Sequence, residues 1–193
     1  GSPFGSYQSA SPTSTSSVES QSYQIGKTLA SGATYVAWSL AKYSAGNGWF
    51  SVSLYDTGSN NNRGWFDLQN GVVGSKDINI IDYGMIDYGD GWWLCWASKV
   101  ANSTSGGINL GVTTGDGATD GNSGDVILIA GSQFELGSFP TSHIPTTGAS
   151  ASRARDLAEI PTSAFGYKND KGSLVVDVLT PVANQLMPLA TFN

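Results

Sequence analysis

From Thr34 onward the apolar residues of this chain recur at every second position. In Thr34–Tyr43 (TYVAWSLAKY), Val36, Trp38 and Leu40 fall on one side and Tyr35, Ala37 and Ser39 on the other. Trp49–Asp56 (WFSVSLYD) sets Phe50, Val52 and Leu54 against Trp49, Ser51, Ser53 and Tyr55. A period of two is the mark of a strand with one face buried. Ser44-Ala45-Gly46-Asn47-Gly48 joins these two strands as a hairpin turn. Trp65–Leu68 is a short strand between the turns Asn60–Gly64 and Gln69-Asn70-Gly71, where Asn-Gly tolerates positive φ. Ser75–Gly84, Trp92–Val100, Gly107–Thr113 and Val126–Leu136 read as further strands, the last with a bulge expected at Gly131, and Leu174–Leu179 as a final one. Thr114–Asp125 is a long polar loop. The only helical candidate, Ser152–Glu159, is short. Seven or eight closely spaced strands predict an all-β fold, an antiparallel β-sandwich.

The same alternation sorts candidate residues by face. Trp49 and Tyr55 share the polar side of their strand with Ser51 and Ser53, away from the core. Trp65 and Asp67 lie opposite Phe66 and Leu68, and Gln133 and Glu135 lie opposite Phe134 and Leu136. Trp92, Leu94, Trp96 and Ser98 share one face; Trp93, Cys95 and Ala97 share the other. Trp38, between Val36 and Leu40, is expected in the core.

Composition narrows the partners. The 193 residues hold nine Lys plus Arg and 15 Asp plus Glu, for a net charge of −6, and 39% are apolar. That apolar content argues against wholesale disorder. An acidic balance weighs against nucleic acid or an anionic membrane surface, both of which need clustered Lys and Arg. No run of eighteen apolar residues offers a membrane-spanning segment. There are 25 glycines and 42 Ser or Thr residues, which fits many turns between short strands. Cys95 is the single cysteine, so neither an intrachain disulfide nor a thiolate metal cluster is available. His143 is the single histidine, which removes His-rich zinc sites. Gly1-Ser2 reads as a cloning scar, and residues 3–18 as a Ser/Thr/Pro-rich linker or edge strand; no charged-then-apolar leader is visible.

Particular motifs then carry a resemblance. GDGWWLCWASKV, from Gly89, resembles the G-x-G-W-Y-R-C-S-V strand of a group of phage tail and tail-fibre proteins. The later stretch TGDGATDGNSGDVILIAGSQFELGSFPTSHIPTTGASASRARD resembles the downstream signature of that group: a Gly-Asp-Gly loop, an apolar strand, A-Q-L-E-x-G-x-F-x-T-S-Y-I-P-T, then T-R-A-A-D. WFDLQNGVVGS resembles the F-F-D-L-x-T-G-x-V hairpin of the same group. The likeness spans roughly residues 35–160. It departs from the pattern at Leu94, where the group has Arg, at Phe134, where it has Leu, and at His143, where it has Tyr. Leu94 puts in doubt any ligand contact made by that Arg.

The resemblance implies a jelly-roll sandwich like a carbohydrate-binding module, with the Cys95 face as the inter-sheet core and Trp92 and Trp96 on an outer surface. It implies three parts. Residues 1–20 are a scar with linker or edge strand. Residues 21–160 are the carbohydrate-binding-like sandwich. Residues 161–193 are the start of a following concanavalin-like lectin domain. It also implies a place in the virion tail or fibre, or otherwise outside the cell, with a homotrimer as a candidate assembly.

All six tryptophans lie between Trp38 and Trp96. Flat aromatic faces stack on the C–H faces of sugar rings, and each offers a large apolar area with a polar handle. The expected ligand is a polysaccharide or glycan, and the expected ligand-binding residues are Trp49, Tyr55, Trp65, Trp92, Trp96, Gln133 and Glu135. An amide and a carboxylate side by side can grip sugar hydroxyls. A competing reading makes Gln133 and Glu135 a structural pair anchoring the following segment at Ser142.

Asp116, Asp120, Asn122 and Asp125 could supply oxygens to a structural calcium ion. They lack the EF-hand spacing, so a plain Gly/Asp turn competes. Asp82, Asp87 and Asp90 form a second such run beside Tyr83 and Tyr88. Otherwise no cofactor is expected.

No enzyme is expected either. A glycosidase needs two carboxylates roughly 5–10 Å apart in a cleft, and no motif selects such a pair. A serine hydrolase needs a nucleophile elbow and a placed histidine, whereas His143 sits in SFPTSHIP, where it reads as an aromatic packing residue. The function expected is therefore a non-catalytic carbohydrate-binding module of a phage tail or fibre. The alternatives are a structural spacer or oligomerisation domain of such a fibre, and an accessory domain of a polysaccharide-degrading enzyme.

Overall fold

A computed structural model describes residues 20–57, 62–146, 149–152 and 161. Nine strands form among them: β1 (Ser20–Thr28), β2 (Thr34–Ala45), β3 (Trp49–Asp56), β4 (Arg63–Asp67), β5 (Val72–Lys76), β6 (Asp82–Gly89), β7 (Trp92–Val100), β8 (Ser105–Val112) and β9 (Val126–Leu136). All pair antiparallel. One sheet has five strands in the order β1-β8-β3-β4-β5, and the other has four in the order β6-β7-β2-β9. No described residue is helical. The protein is an all-β, two-sheet sandwich. β2 pairs with both β7 and β9, and β8 with both β1 and β3, so each sheet is built from strands distant in sequence.

The core follows from the alternation. Phe50, Val52 and Leu54 of β3, with Phe66 of β4 and Ile108, Leu110 and Val112 of β8, point inward from the five-stranded sheet. The four-stranded sheet answers with smaller groups, Ala37, Ala41, Cys95 and Ala97, flanked by Ile127 and Ile129. Large side chains thus fill the space left by small ones, and each fully buried Leu, Val or Phe contributes about 1.5–3 kcal/mol. Burial in this layer pushes the Cys95 thiol well above its ordinary pKa. Tyr35 and Phe134 stack at 5.3 Å with nearly parallel rings at one end of the layer.

The structure refines or corrects the sequence reading at four places. Trp38 is fully buried, as expected, but the face it shares with Val36 and Leu40 is not the one that meets the opposite sheet; Tyr35, Ala37, Ala41 and Tyr43 of β2 take that side. The sequence alternates apolar residues on one face of β2 and small or tyrosyl residues on the other, and both faces are packed. The strand expected at Ser75–Gly84 is divided: β5 ends at Lys76, and the chain crosses to the other sheet before β6 begins. The Lys76 ammonium donates to the carbonyls of Ile80 and Ile81, each at 2.8 Å, and the Asp77 carboxylate accepts the Arg63 amide at 2.9 Å, which fixes that crossing. The β9 bulge falls one residue before Gly131. Leu40 pairs with Gly131 and Ala41 with Ile129, so Ala130 is the extra residue. β1 was not anticipated, because SQSYQIGKT is mostly polar and its pairing is interrupted by a bulge between Gln24 and Lys27.

The chain divides into two compact units, 1–143 and 144–193. The second contributes only 144–146, 149–152 and 161 to the described residues, none in regular structure. The linker expected at 3–18, the helix expected at Ser152–Glu159 (beyond Ser152) and the strand expected at Leu174–Leu179 lie outside the described residues.

Candidate functional site

The two sheets divide the expected binding residues between opposite outer faces of the sandwich. Trp49, Tyr55 and Trp65 lie on the outside of the five-stranded sheet; Trp92, Trp96, Gln133 and Glu135 lie on the outside of the four-stranded one. They do not form one site.

On the four-stranded sheet, Trp38 pairs across to Trp96 on one side and Gln133 on the other. Trp92 and Trp96 are each only 4% exposed, so neither offers a free face to a sugar ring. The Trp96 indole lies across Gly84, where a Cβ would stand 2.8 Å from its Nε1. The Lys42 ammonium sits 6.0 Å from the Trp92 ring centre and donates to the Asp90 carbonyl.

Glu135 acts as a clamp. Its Oε1 accepts the Trp38 Nε1–H at 3.0 Å and the Thr141 backbone N–H at 2.9 Å, and its Oε2 accepts the Thr141 hydroxyl at 2.5 Å. Gln133 Nε2 donates to the same hydroxyl at 3.4 Å. The pair therefore anchors the segment after β9, at Thr141, one residue from the expected Ser142. Just beyond, the His143 ring packs edge-on against Trp38 at 5.7 Å, and burial lowers its pKa from the ordinary imidazole value.

The outer face of the five-stranded sheet is different in kind. β3 presents Trp49, Ser51, Ser53 and Tyr55, and β4 presents Arg63, Trp65 and Asp67 beside them. The register sets Trp49 opposite Asp67, Ser51 opposite Trp65 and Ser53 opposite Arg63, with Asn109 of β8 on the other flank of Ser53. Trp49 and Trp65 are thus diagonal neighbours on one surface. Tyr55 is 40% exposed and Trp49 is half-buried. Between them β3 advances six residues, about 20 Å at the usual strand rise. In the interval between the two aromatic side chains Ser51 and Ser53 are themselves buried, while Arg63 and Asn109 are half-buried. Asp67 is turned to structure: its Oδ1 accepts the Gln69 and Asn70 amides, each at 3.1 Å, and its Oδ2 accepts Asn70 Nδ2 at 2.7 Å, closing the β4–β5 hairpin.

The loop after β8 lies over part of this face. Trp65, only 3% exposed, donates its Nε1–H to the Ala118 carbonyl at 2.8 Å. Asp116 Oδ1 accepts the Ser75 amide at 2.7 Å and the Ser75 hydroxyl at 2.8 Å. Asp120 accepts the Thr114 hydroxyl at 3.0 Å, and Asp125 takes the Asn47 backbone and side-chain amides at 3.1 and 2.6 Å. Asn122 is exposed, and its carbonyl accepts the Asp125 amide at 3.3 Å. The four proposed calcium ligands are therefore dispersed, three of them bonded to different partners. Asp82 and Asp87 likewise cap their own backbone, at Tyr83 and Gly89. Among the described residues no three His, Cys, Asp or Glu side chains are grouped to hold a metal ion.

One polar cluster was not anticipated. At the end of the sandwich Lys99 of β7 donates to Asp56 Oδ2 of β3 at 2.6 Å and to Asn62 Oδ1 at 3.0 Å, and Asp56 also accepts the Asn102 amide at 3.1 Å. Lys99 and Asp56 are both almost wholly buried. The signal was present: each charge stands at the inward parity of its strand, two residues past Leu54 and Ala97. A small hollow walled by Tyr35, Tyr55 and Phe134 reaches this pair, so Tyr55 stands where the outer face meets the sandwich end. In comparisons with known proteins, no family model matches this chain and neither does any curated protein.

Proposed function

We propose that the chain is a non-catalytic carbohydrate-binding module of a phage tail or fibre protein. Its ligand in this reading is a neutral polysaccharide of a host surface or the environment, taken up along the outer face of the five-stranded sheet. The observation that carries the reading is that exposed Tyr55 and half-buried Trp49 stand on one sheet face with half-buried Arg63 and Asn109 beside them. Two stacking surfaces about 20 Å apart along a strand suit an extended polymer better than a single sugar. The motif resemblance across residues 35–160 supports the same reading. The low charge of the chain favours a neutral hydroxylated ligand.

A glycan array tests it. Wild-type protein should bind at least one class of neutral glycan, and Tyr55→Ala should lose most of that signal while keeping its strand circular dichroism. Absence of binding to any glycan by the folded wild type would rule the reading out.

A structural spacer, trimeric in a fibre, is the second reading. It is favoured by the burial of Trp92 and Trp96 and by the use of Gln133 and Glu135 as an internal clamp. A stable trimer in solution that binds no glycan would select it.

A further inference from the structure

We propose that Thr114–Asp120 is a strap that conceals Trp65 as a third stacking surface of the same face and opens to admit the polymer. The inference rests on the sugar-binding reading above and adds a regulatory element to it.

Three contacts hold the strap down, and they differ in kind. The Trp65 Nε1–H bond to the Ala118 carbonyl covers the indole. The two bonds from Ser75 to Asp116 Oδ1 join the strap to the sheet edge in exposed surroundings, where water competes for both partners. The strap's own closure, Thr114 amide to Asp120 carbonyl at 2.8 Å, joins its two ends and leaves the loop intact when it lifts.

The seat beneath is shaped for the strap. Gly74 of β5 has no side chain; a Cβ there would stand 2.5 Å from Asp116 Oδ1 and 2.6 Å from the Trp49 ring. Trp49, Gly74 and Asp116 therefore meet at one point, so lifting Asp116 uncovers the flank of Trp49 as well as Trp65. Gly117, at φ +71 and with the Ser75 hydroxyl 3.7 Å from where a Cβ would stand, supplies a backbone conformation that other residues rarely adopt.

With the strap down, a polysaccharide reaches Tyr55 and the exposed part of Trp49. With it up, Trp65 joins them, directly across from Ser51. A ligand that needs the open form binds with an apparent affinity reduced by the open fraction, so weakening the strap tightens binding.

The experiment uses the full chain and the variant Asp116→Ala, whose altered side chain is exposed. The first readout is hydrogen exchange of the Trp65 indole proton by NMR, which needs no ligand. Asp116→Ala should speed that exchange at least tenfold and leave the Trp38 indole, bonded to Glu135, unchanged. The second is affinity electrophoresis in gels containing a soluble glucan, a galactomannan or a xylan. Asp116→Ala should bind several-fold more tightly than wild type, and Trp65→Phe placed in the Asp116→Ala background should remove the gain.

Unchanged indole exchange overturns the strap. Faster exchange with unchanged binding shows that Trp65 is no stacking surface and overturns the gating role, while leaving the Tyr55 face as the site. If neither protein binds any of the polysaccharides, the sugar-binding reading fails and takes the gate with it.

Discussion

Asp56 and Lys99 meet at 2.6 Å between the two sheets, each at the end of a strand whose other inward residues are apolar or aromatic. Removing one partner leaves an uncompensated buried charge, which costs about 3–5 kcal/mol. Asp56→Ala and Lys99→Met should each lower the unfolding free energy obtained from urea titration by that order. The double variant Asp56→Leu/Lys99→Met should recover much of the loss, because well-packed apolar groups replace a buried pair at little cost. Additive losses in the double variant would show that the two residues act independently.

Glu135 joins Trp38 to the segment after β9, through both of its carboxylate oxygens. Glu135→Ala leaves the Trp38 N–H without its partner and releases Thr141, a loss of about 1–3 kcal/mol. Proteolysis should begin in the 137–143 segment in this variant and spare it in wild type. Thr141→Val should have a smaller effect, since the backbone N–H bond survives. Equal protease resistance in all three proteins would contradict the clamp.

The His143 imidazole is held below its ordinary pKa by burial. The folded state therefore binds fewer protons than the unfolded one once the pH drops below the unfolded value near 6.5. Stability should be independent of this group above that pH, fall as the pH is lowered toward the folded pKa, and level off below it. His143→Phe keeps a ring against Trp38 and removes the proton. Thermal melts from pH 8 to pH 4 should show a smaller acid loss in His143→Phe than in wild type.

Cys95 is fully buried in the inter-sheet layer with its thiol pKa well raised, so it holds little thiolate at neutral pH and offers no access. Labelling by iodoacetamide should be negligible in native buffer and complete in strong denaturant. Rapid native labelling would place Cys95 outside the core.

Much of this fold was legible in the alternation, because a one-residue error would turn a whole strand inside out. Phe50, Val52 and Leu54 point inward as their spacing requires, and the Asn-Gly hairpin at Asn70-Gly71 falls between β4 and β5. Periodicity fails where both faces of a strand are packed. Trp38 was expected in the core because its neighbours Val36 and Leu40 are apolar, yet the small residues Ala37 and Ala41 are the ones that meet the opposite sheet. Parity also gives the face of a residue and not its exposure. It set Trp92 and Trp96 apart from Cys95 correctly, but their burial depends on contacts distant in sequence. Trp65 is similar: its side was readable, whereas its cover comes from Ala118, 53 residues away. The division of the expected binding residues between two outer faces follows from sheet order, which no single strand encodes.

Uptake of polysaccharide on the outer face of the five-stranded sheet, as proposed above, would leave a defined footprint on the protein. An NMR titration of isotope-labelled protein with a neutral polysaccharide that it binds tests this directly. The perturbed resonances should concentrate at Trp49, Tyr55, Arg63 and Asn109, with those of Trp92, Trp96 and Glu135 unmoved. Perturbations confined to the four-stranded sheet would contradict it.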